Sequence, residues 1–334
     1  MPEITIQSGP PFISVVVPVY NGADTIGACV EALLGQNYPP DRREIIVVDN
    51  NSTDDTVAIV ASYPVTLLHE RNVQTSYAAR NTGIRGAAGE IVAFTDADCL
   101  PEAGWLAHLA IGFGAPSVVG LAGALRPASP VGLVDAFLVE RSPVRSRKIE
   151  GAWYVVTANA AYRRSTLLQI GMFDQRLFTG GDLDLSLRIQ TGGWGRIEEA
   201  PEAIVIHKFE NSWRGLWARY RRYGYAQRLV SALFPGQLAE PFAAAERHRR
   251  LLRQLRSLLI YPLSFLWRLR RVLLKGWNAP YNLAPLLSLT AEVASLWGQL
   301  RASVEIRWHS DRLPEPRRFP QGSAAAEWLR PSEA

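Results

Sequence analysis

The chain is poor in cysteine: its 334 residues include two, Cys29 and Cys99. Two cysteines cannot build a disulfide framework, and their wide separation fits no C-x-x-C metal motif. The sequence therefore excludes a disulfide-stapled domain and favours a reducing compartment. The N-terminus lacks a basic segment followed by an apolar run, which predicts that there is no secretory signal.

Long apolar runs are also missing. The uncharged run at 257–267 has 11 residues and contains Pro262. The run at 276–291 has 16 residues and is weakened by Pro280, Asn282 and Pro285. A helix needs about 20 apolar residues to cross a bilayer, so the sequence predicts no clear transmembrane span.

Several nucleotide-binding and catalytic motifs are absent from the sequence. It contains no G-x-x-x-x-G-K-[ST] phosphate loop, no H-E-x-x-H and no G-x-S-x-G. Gly83, Gly86 and Gly89 have the wrong spacing for a dinucleotide fingerprint, and they precede a predicted strand instead of following one. Any nucleotide must therefore bind by another route.

The composition is that of a globular protein, with 48% hydrophobic and 20% charged residues. From residue 12 to about 100, apolar strands alternate with short helices. The predicted strands are 13–17, 44–48, 65–69 and 91–94, and the predicted helices are 25–34, 54–61 and 75–86. This alternation predicts an α/β fold with parallel crossovers. From residue 213 the chain becomes helical and rich in Arg and Trp, and 308–334 reads as a loose tail.

The net charge of +5 is unevenly distributed. Residues 214–275 hold 14 of the 36 basic residues and two of the 31 acidic ones, which gives +12 there and −7 for the remainder. Within this segment, 247–275 interleaves Arg with Leu, Ile, Phe and Trp. The pattern favours a basic amphipathic helix on an anionic membrane surface. One alternative is an ordinary helical subdomain. Another is a nucleic-acid surface, but the large aliphatic residues that alternate with the arginines fit this less well, and we expect no nucleic-acid partner.

Two aspartates, Asp96 and Asp98, follow the predicted strand 91–94. The carboxyl edge of an open α/β sheet is where ligands bind. Carboxylate oxygens with an incomplete protein shell suit Mg²⁺ or Mn²⁺ shared with substrate phosphates. The pair therefore suggests a metal-diphosphate site, and the alternative is a solvated turn.

Five segments in order carry a resemblance to a known family. They are 15–21 (VVVPVYN), 47–56 (VVDNNSTDDT), 79–83 (ARNTG), 94–98 (FTDAD) and 171–185, which contains GMFD and GDLDL. Over about 12–230 the chain resembles the family 2 glycosyltransferases, which are inverting enzymes. The resemblance implies a GT-A-type fold: a mixed, mainly parallel sheet flanked by helices, here with a helical C-terminal appendage.

The implied domain plan has four parts. Residues 1–11 form an N-terminal tail, and 12–230 form the catalytic domain, with a nucleotide half at 12–100 and an acceptor half at 101–230. Residues 231–307 form a helical, basic, membrane-associating region, and 308–334 form the tail.

Two positions depart from the family pattern. Asn50 replaces the second aspartate of a D-D pair, and Gly181 replaces the glutamate of an E-D pair. Asp182 is left alone as the implied catalytic base, beside the acceptor-side residues Gly181 and Asp184. Its alternative role is that of an aspartate favoured at a helix N-terminus.

On the donor side, the resemblance implies that Pro18 and Tyr20 flank the base and that Asp49 accepts a hydrogen bond from it. Arg80 is implied to reach the base or phosphate, with an ordinary surface arginine as the alternative. Asp96 is assigned to the ribose or to the water shell of the metal.

The implied metal ligands are Asp98 and His207, and Asp96 could join them. For His207 the alternative is a histidine packed at a strand end, and for Asp49 it is a turn aspartate.

The expected function is transfer of a sugar, with inversion, from a nucleotide-diphospho-sugar to a glycan or lipid-linked acceptor. UDP is the favoured nucleotide, and Mn²⁺ or Mg²⁺ is the expected cofactor. We expect a peripheral protein at the cytoplasmic face of the inner membrane. A catalytically silent sugar-nucleotide-binding protein and a sugar nucleotidyltransferase are the alternatives.

Overall fold

A computed structural model describes residues 9–141, 145–149, 152–209, 212–234, 244–275, 279–308 and 313–314. The strands are β1 Ile13–Val19, β2 Arg43–Asp49, β3 Thr66–His69, β4 Ile91–Thr95, β5 Cys99–Pro101, β6 Val118–Pro127, β7 Arg147–Ile149, β8 Ala152–Tyr154, β9 Asn159–Arg163 and β10 Arg196–His207. The α-helices are α1 Ile26–Leu34, α2 Thr56–Ala61, α3 Ser76–Gly86, α4 Trp105–Gly112, α5 Leu133–Arg141, α6 Arg164–Gln169, α7 Gly181–Thr191, α8 Trp213–Leu233, α9 Ala244–Lys275 and α10 Ala279–Trp308. The predicted tails, 1–11 and 308–334, lie almost wholly outside the described residues.

The chain divides into two units whose segments alternate along the sequence. Unit 1 consists of 1–126, 155–173 and 194–206, and unit 2 consists of 127–154, 174–193 and 207–334. The predicted catalytic domain, 12–230, therefore draws on both units.

Unit 1 is built on an eight-stranded sheet in the order β3-β2-β1-β4-β9-β6-β10-β5. The first four of these strands are parallel, because α1, α2 and α3 form the crossovers from β1 to β2, from β2 to β3 and from β3 to β4. β9 is antiparallel to both β4 and β6, which makes the sheet mixed. The predicted strand and helix order over 12–100 is confirmed.

Helices pack closely on this sheet. A Cβ atom added at Gly83 in α3 would overlap the side chain of Val16 in β1, so only glycine permits this approach. On the other side, α1 and α4 bury apolar side chains against the sheet, including Val30, Leu33 and Trp105. The strands read as continuous apolar runs because the sheet is covered on both faces.

Two local expectations differ from the structure. β1 continues through Pro18 to Val19, whereas the sequence predicts its end before the proline. Pro18 lies beyond Val16, the last residue that β1 pairs with β4, so the missing N–H is tolerated there. Helix α1 begins at Ile26, one residue after the predicted start at residue 25, and Thr25 occupies the N-cap position.

Unit 2 contains the β7–β8 hairpin and long helices. Helices α8 and α10 cross at glycines: a Cβ at Gly224 would overlap the backbone of Ser295, and one at Gly298 would overlap the backbone of Arg221. Helix α5 packs Val134 and Leu138 in a cluster with Leu287 of α10. Among the described residues, no helix combines the length and the apolarity needed to cross a membrane.

Candidate functional site

The loops that follow β1 and β2 are locked together by side chains. The backbone N–H of Asn21 donates to Ser52 Oγ at 2.9 Å, and Asn21 Oδ1 accepts from the backbone N–H of Thr53 at 2.8 Å. Asn21 has φ 48°, a left-handed conformation in which asparagine is favoured. Asn21 therefore joins the two loops, and its place in the first motif is the sequence signal for this role.

Asp49 ends β2 and is buried. Its Oδ1 accepts from the backbone N–H of Ser52 at 3.2 Å, and its Oδ2 lies 3.4 Å from Nδ1 of His69 at the end of β3. Asp49 therefore helps to hold its own loop, next to the end of β3. His69 was not identified from the sequence.

Asn50 ties this loop to the segment after β3. Its Nδ2 donates to the carbonyl oxygens of Glu70 and Val73, both at 3.0 Å. An ionised aspartate could not donate either hydrogen bond. The departure from the D-D pair therefore has a structural reason in this chain.

Arg80 and Asp96 form an ion pair. Arg80 lies in α3 and is 4% exposed, and its Nη2 is 2.5 Å from Asp96 Oδ1. The guanidinium carbon lies 5.6 Å from the ring centroid of Tyr77 and 6.0 Å from that of Phe173, within reach of a cation–π interaction. The surface alternative for Arg80 is wrong, because the side chain is buried and points at the aspartate after β4.

The neighbour of Arg80, Asn81, fixes one of these rings in place. Asn81 Nδ2 donates to the carbonyl oxygen of Phe173 at 2.8 Å, and its Oδ1 accepts from the Phe173 N–H at 3.0 Å. The ARNTG motif thus supplies both Arg80, the cation, and Asn81, which positions the Phe173 ring beside it. Asn81 and Phe173 were not predicted as site residues, although they lie in the ARNTG and GMFD motifs.

The Asp96–Asp98 turn connects β4 to β5, and both carboxylates are half-buried. Cys29 Sγ donates to the carbonyl oxygen of Asp96 at 3.6 Å, and Cys99 Sγ donates to Asp98 Oδ1 at 3.7 Å. Burial, helped by the two aspartates, raises the pKa of both thiols well above the usual value. The thiols therefore stay protonated and act as weak donors to this turn.

Pro18 and Tyr20 lie at the same edge of the sheet. Pro18 is buried inside β1, and the Tyr20 ring is exposed. Of these two side chains, Tyr20 is the one accessible to a ligand.

In unit 2, the implied base lies in the first turn of α7. Gly180 precedes the helix with φ 82°, a conformation that suits glycine, and Gly181 is its first residue. Asp182 is half-buried, whereas Asp184 is fully buried and its Oδ2 accepts from Arg188 Nε at 2.8 Å. Asp184 is therefore placed to hold the helix and not to contact an acceptor directly.

The β7–β8 hairpin anchors the same helix. Gln190 Oε1 accepts from the backbone N–H of Trp153 at 2.8 Å, and Gln190 Nε2 donates to the Trp153 carbonyl at 2.9 Å. Burial, together with the charge of Asp182, raises the pKa of the Tyr154 hydroxyl. Tyr154 therefore remains a neutral phenol near the implied base.

His207 is the last residue of β10 and is buried. Its ring centroid lies 4.9 Å from that of Phe209, and its carbonyl oxygen accepts from the Ala128 N–H at 2.9 Å. The strand-end placement matches the sequence prediction.

The side chains of Asn159 and Trp153 are both buried. Asn159 Oδ1 accepts from Trp105 Nε1 at 2.8 Å, and its Nδ2 donates to the carbonyls of Ala124 and Ala203. Asn159 therefore joins strands inside unit 1.

Two family models match the chain. The model described as "Glycosyl transferase family 2" matches residues 14–169, and the one described as "Glycosyl transferase family group 2" matches 142–295. A relative, the glycosyltransferase AglE of Haloferax volcanii, is 33% identical over 209 residues, which cover 59% of this chain and 67% of that protein. The chain belongs to glycosyltransferase family 2. The resemblance stated from the five motifs is therefore confirmed at the level of the family and its enzyme class.

Other relatives of this family 2 glycosyltransferase are longer. The pre-mycofactocin glycosyltransferase of Mycobacterium tuberculosis is 29% identical over 242 residues, which cover 68% of this chain and 49% of that protein. The chain thus spans about half the length of this relative.

Solved structures share the fold. The mannosyltransferase PcManGT from Pyrobaculum calidifontis, in complex with GDP-Man and Mn²⁺, has a TM-score of 0.57 at 23% identity, covering 90% of this chain and 88% of that one. Staphylococcus aureus TarS 1–349 in complex with UDP-GlcNAc has a TM-score of 0.52 at 18% identity, covering 93% and 97%. The predicted fold class, a GT-A-type mixed sheet with a helical C-terminal region, is confirmed.

Proposed function

We propose that this family 2 glycosyltransferase moves a sugar, with inversion, from a nucleotide-diphospho-sugar to a hydroxyl of a glycan or lipid-linked acceptor. The Arg80–Asp96 pair is the observation that carries the proposal. It fixes the first carboxylate of the Asp96–Asp98 turn at the carboxyl end of β4, the edge of an α/β sheet where ligands bind. A ligand-free solvated turn would not need a buried arginine to orient it.

The donor side is assigned to unit 1. We assign the nucleotide base to the edge formed by Tyr20 and Asp49, and the ribose to Asp96. A carboxylate at Asp49 can accept from the imide N–H of uracil, which favours a UDP-sugar. The nucleotide sugars named in the complexes of PcManGT and TarS support this class of donor.

The oxygen ligands that the Asp96–Asp98 turn offers suit a divalent cation. Asp98 offers a half-buried carboxylate, and hard oxygen ligands suit Mg²⁺ or Mn²⁺. Asp98 and His207 are the proposed ligands, with Asp96 as a third candidate. When bound, such an ion would stabilise the negative charge of the leaving nucleoside diphosphate.

The base is assigned to Asp182. It lies in the first turn of α7, and its carboxylate is only half-buried. A partly accessible carboxylate can take the proton of the attacking hydroxyl, a contribution of about 10²–10⁴-fold. Asp184 and the Trp153–Gln190 contacts hold the helix that carries it.

A specific observation supports a second candidate, a catalytically silent sugar-nucleotide-binding protein. Gly181 stands where the family motif has a glutamate, so this chain has one carboxylate fewer beside the proposed base.

We also propose that the protein works peripherally at an anionic membrane, at the cytoplasmic face, through 247–275. The support is the charge of +12 on 214–275 against −7 elsewhere.

A donor-hydrolysis screen tests the activity. The chain is incubated with UDP-, GDP- and dTDP-sugars, each with Mn²⁺, with Mg²⁺ and with a chelator. We expect turnover with one nucleotide class that the chelator abolishes. Asp98→Asn should lose the metal dependence of donor binding, whereas Asp41→Asn, at an exposed turn, is the matched control and should behave as wild type.

Asp182→Asn separates the two candidates. We expect it to keep donor-induced thermal stabilisation and to lose about 10²–10⁴-fold in turnover. Unchanged turnover would remove Asp182 as the base. Donor binding by the wild type without turnover on any donor would favour the silent binder.

A further inference from the structure

Helix α9 carries a row of exposed leucines. They recur at intervals of three or four residues, the spacing that places side chains on one helix face. The members of this leucine row are Leu252, Leu255, Leu259, Leu263 and Leu266. Leu259 and Leu263 are 71% and 66% exposed, and a contiguous row of exposed apolar side chains is uncommon on a soluble domain.

The leucine row faces away from the neighbouring helix. Gln254 is buried, and its Nε2 donates to Glu292 Oε2 of α10 at 2.9 Å, while its Oε1 accepts from Gln299 Nε2 at 3.2 Å. With 3.6 residues per turn, Leu259 and Leu263 point to the side of α9 opposite Gln254. Packing between α9 and α10 therefore leaves the row exposed.

Arginines lie beside this row. Arg253, Arg256 and Arg270 are exposed on α9. A bilayer with anionic phospholipids offers phosphates to the guanidinium groups and acyl chains to the leucines at the same time. A second copy of the chain would instead bring two arginine-rich faces together, which like-charge repulsion opposes.

We propose that the leucine row inserts into the interface of an anionic phospholipid bilayer, with α9 lying in the plane of the membrane. The row spans about 21 Å, at 1.5 Å per residue. This deepens the proposed membrane association by naming the face that enters the lipid, and it rests on that proposal.

An environment-sensitive fluorophore on a single surface cysteine tests the insertion. The native Cys29 and Cys99 are both 0% exposed, so a cysteine introduced by Leu263→Cys can be labelled selectively in the folded full-length chain. Leu300→Cys, at an exposed leucine of α10, provides the matched control. The vesicles contain phosphatidylcholine alone or phosphatidylcholine with phosphatidylglycerol.

We expect blue-shifted emission, several-fold stronger, from the label at position 263 with the anionic vesicles only. The label at position 300 should not change. The assignment would be overturned if the label at 263 kept the emission it has in water while the protein is bound to vesicles. An equal emission change at positions 263 and 300 would also overturn it. A blue shift that grows with protein concentration without vesicles would show that a second copy covers the row, and would also overturn it.

The double variant Leu259→Ser with Leu263→Ser gives a second, label-free measurement. We expect vesicle binding to weaken by at least about tenfold, and hydrolysis of a soluble donor to stay unchanged. Undiminished vesicle binding would contradict insertion, whatever the donor assay shows. If the wild type hydrolyses no donor, that result counts against the proposed function but does not affect the conclusion from vesicle binding.

Discussion

At the scale of single residues, Asp182 and Asp184 show how two aspartates in one helical turn take different roles. Asp184 is buried and paired with Arg188, while Asp182 is half-buried. Asp184→Asn should lower the free energy of unfolding by about 2–4 kcal/mol, because a neutral amide replaces the buried carboxylate that pairs with Arg188. Urea denaturation measures the loss.

Asp182→Asn is the control for this measurement. It removes a helix N-terminal charge and should cost about 0.3–1 kcal/mol. Equal losses for the two variants would contradict a difference in their roles.

Glu70 links the stability of the donor-side loop to pH. Burial raises the pKa of Glu70, but hydrogen bonds from the Thr82 hydroxyl and from the backbone N–H groups of Asn72 and Val73, with the charge of Arg85, outweigh it and lower the pKa below its usual value of 4.5. A lowered pKa in the folded state stabilises the protein above the unfolded-state pKa, and this contribution is lost as the pH falls through the folded value.

We therefore expect Glu70→Gln to melt at a lower temperature than the wild type at neutral pH. The difference should shrink as the pH falls below about 4.5. Thermal melts across this range measure it. A difference that does not depend on pH would show that the charge of Glu70 is not the cause.

At the scale of elements, the fit of α3 on β1 depends on Gly83. Gly83→Ala would place a methyl group on Val16, and we expect a loss of about 1–3 kcal/mol in unfolding free energy. Gly27→Ala in α1 is the matched control: its nearest neighbour is the end of the Tyr63 side chain, at 3.3 Å, so helix propensity should make it neutral or stabilising. An unaffected Gly83→Ala variant would show that α3 can move from the sheet.

The sequence predicts the strands and helices of unit 1 better than it predicts the contacts between them. Continuous apolar runs identify β1, β2 and β4, and Thr75 caps α3 as the predicted helix start suggests. The contact between Arg80 and Asp96 joins residues 16 apart on different elements, which periodicity cannot reveal. The hydrogen bonds of Asn50 depend in the same way on how the chain turns after β3.

At the scale of the whole molecule, the sheet of unit 1 is assembled from separated segments. β9, from 155–173, lies between β4 and β6, and β10 lies between β6 and β5. The alternation of the two units was not predicted, because it depends on which distant segments pair.

A fragment comprising residues 9–126 holds β1–β6 and lacks β9 and β10. We expect no cooperative melt and a tendency to aggregate, because β4, β6 and β5 lose their neighbours and expose open edges. Circular dichroism melts compare it with the full chain. A sharp transition in the fragment would show that its four parallel strands suffice for folding.

The position of β5 at the far edge of the sheet has a consequence for biosynthesis. β5 is translated directly after the Asp96–Asp98 turn, but its partner β10 begins at Arg196, and the Glu102 N–H reaches the carbonyl of Ile204. During synthesis, the β5 end of that turn cannot pair with β10 until about a hundred further residues have left the ribosome. Asp98, at that end of the turn, is therefore made early and ordered late, so a nascent chain that stalls before β10 should bind donor more weakly than the complete sheet does.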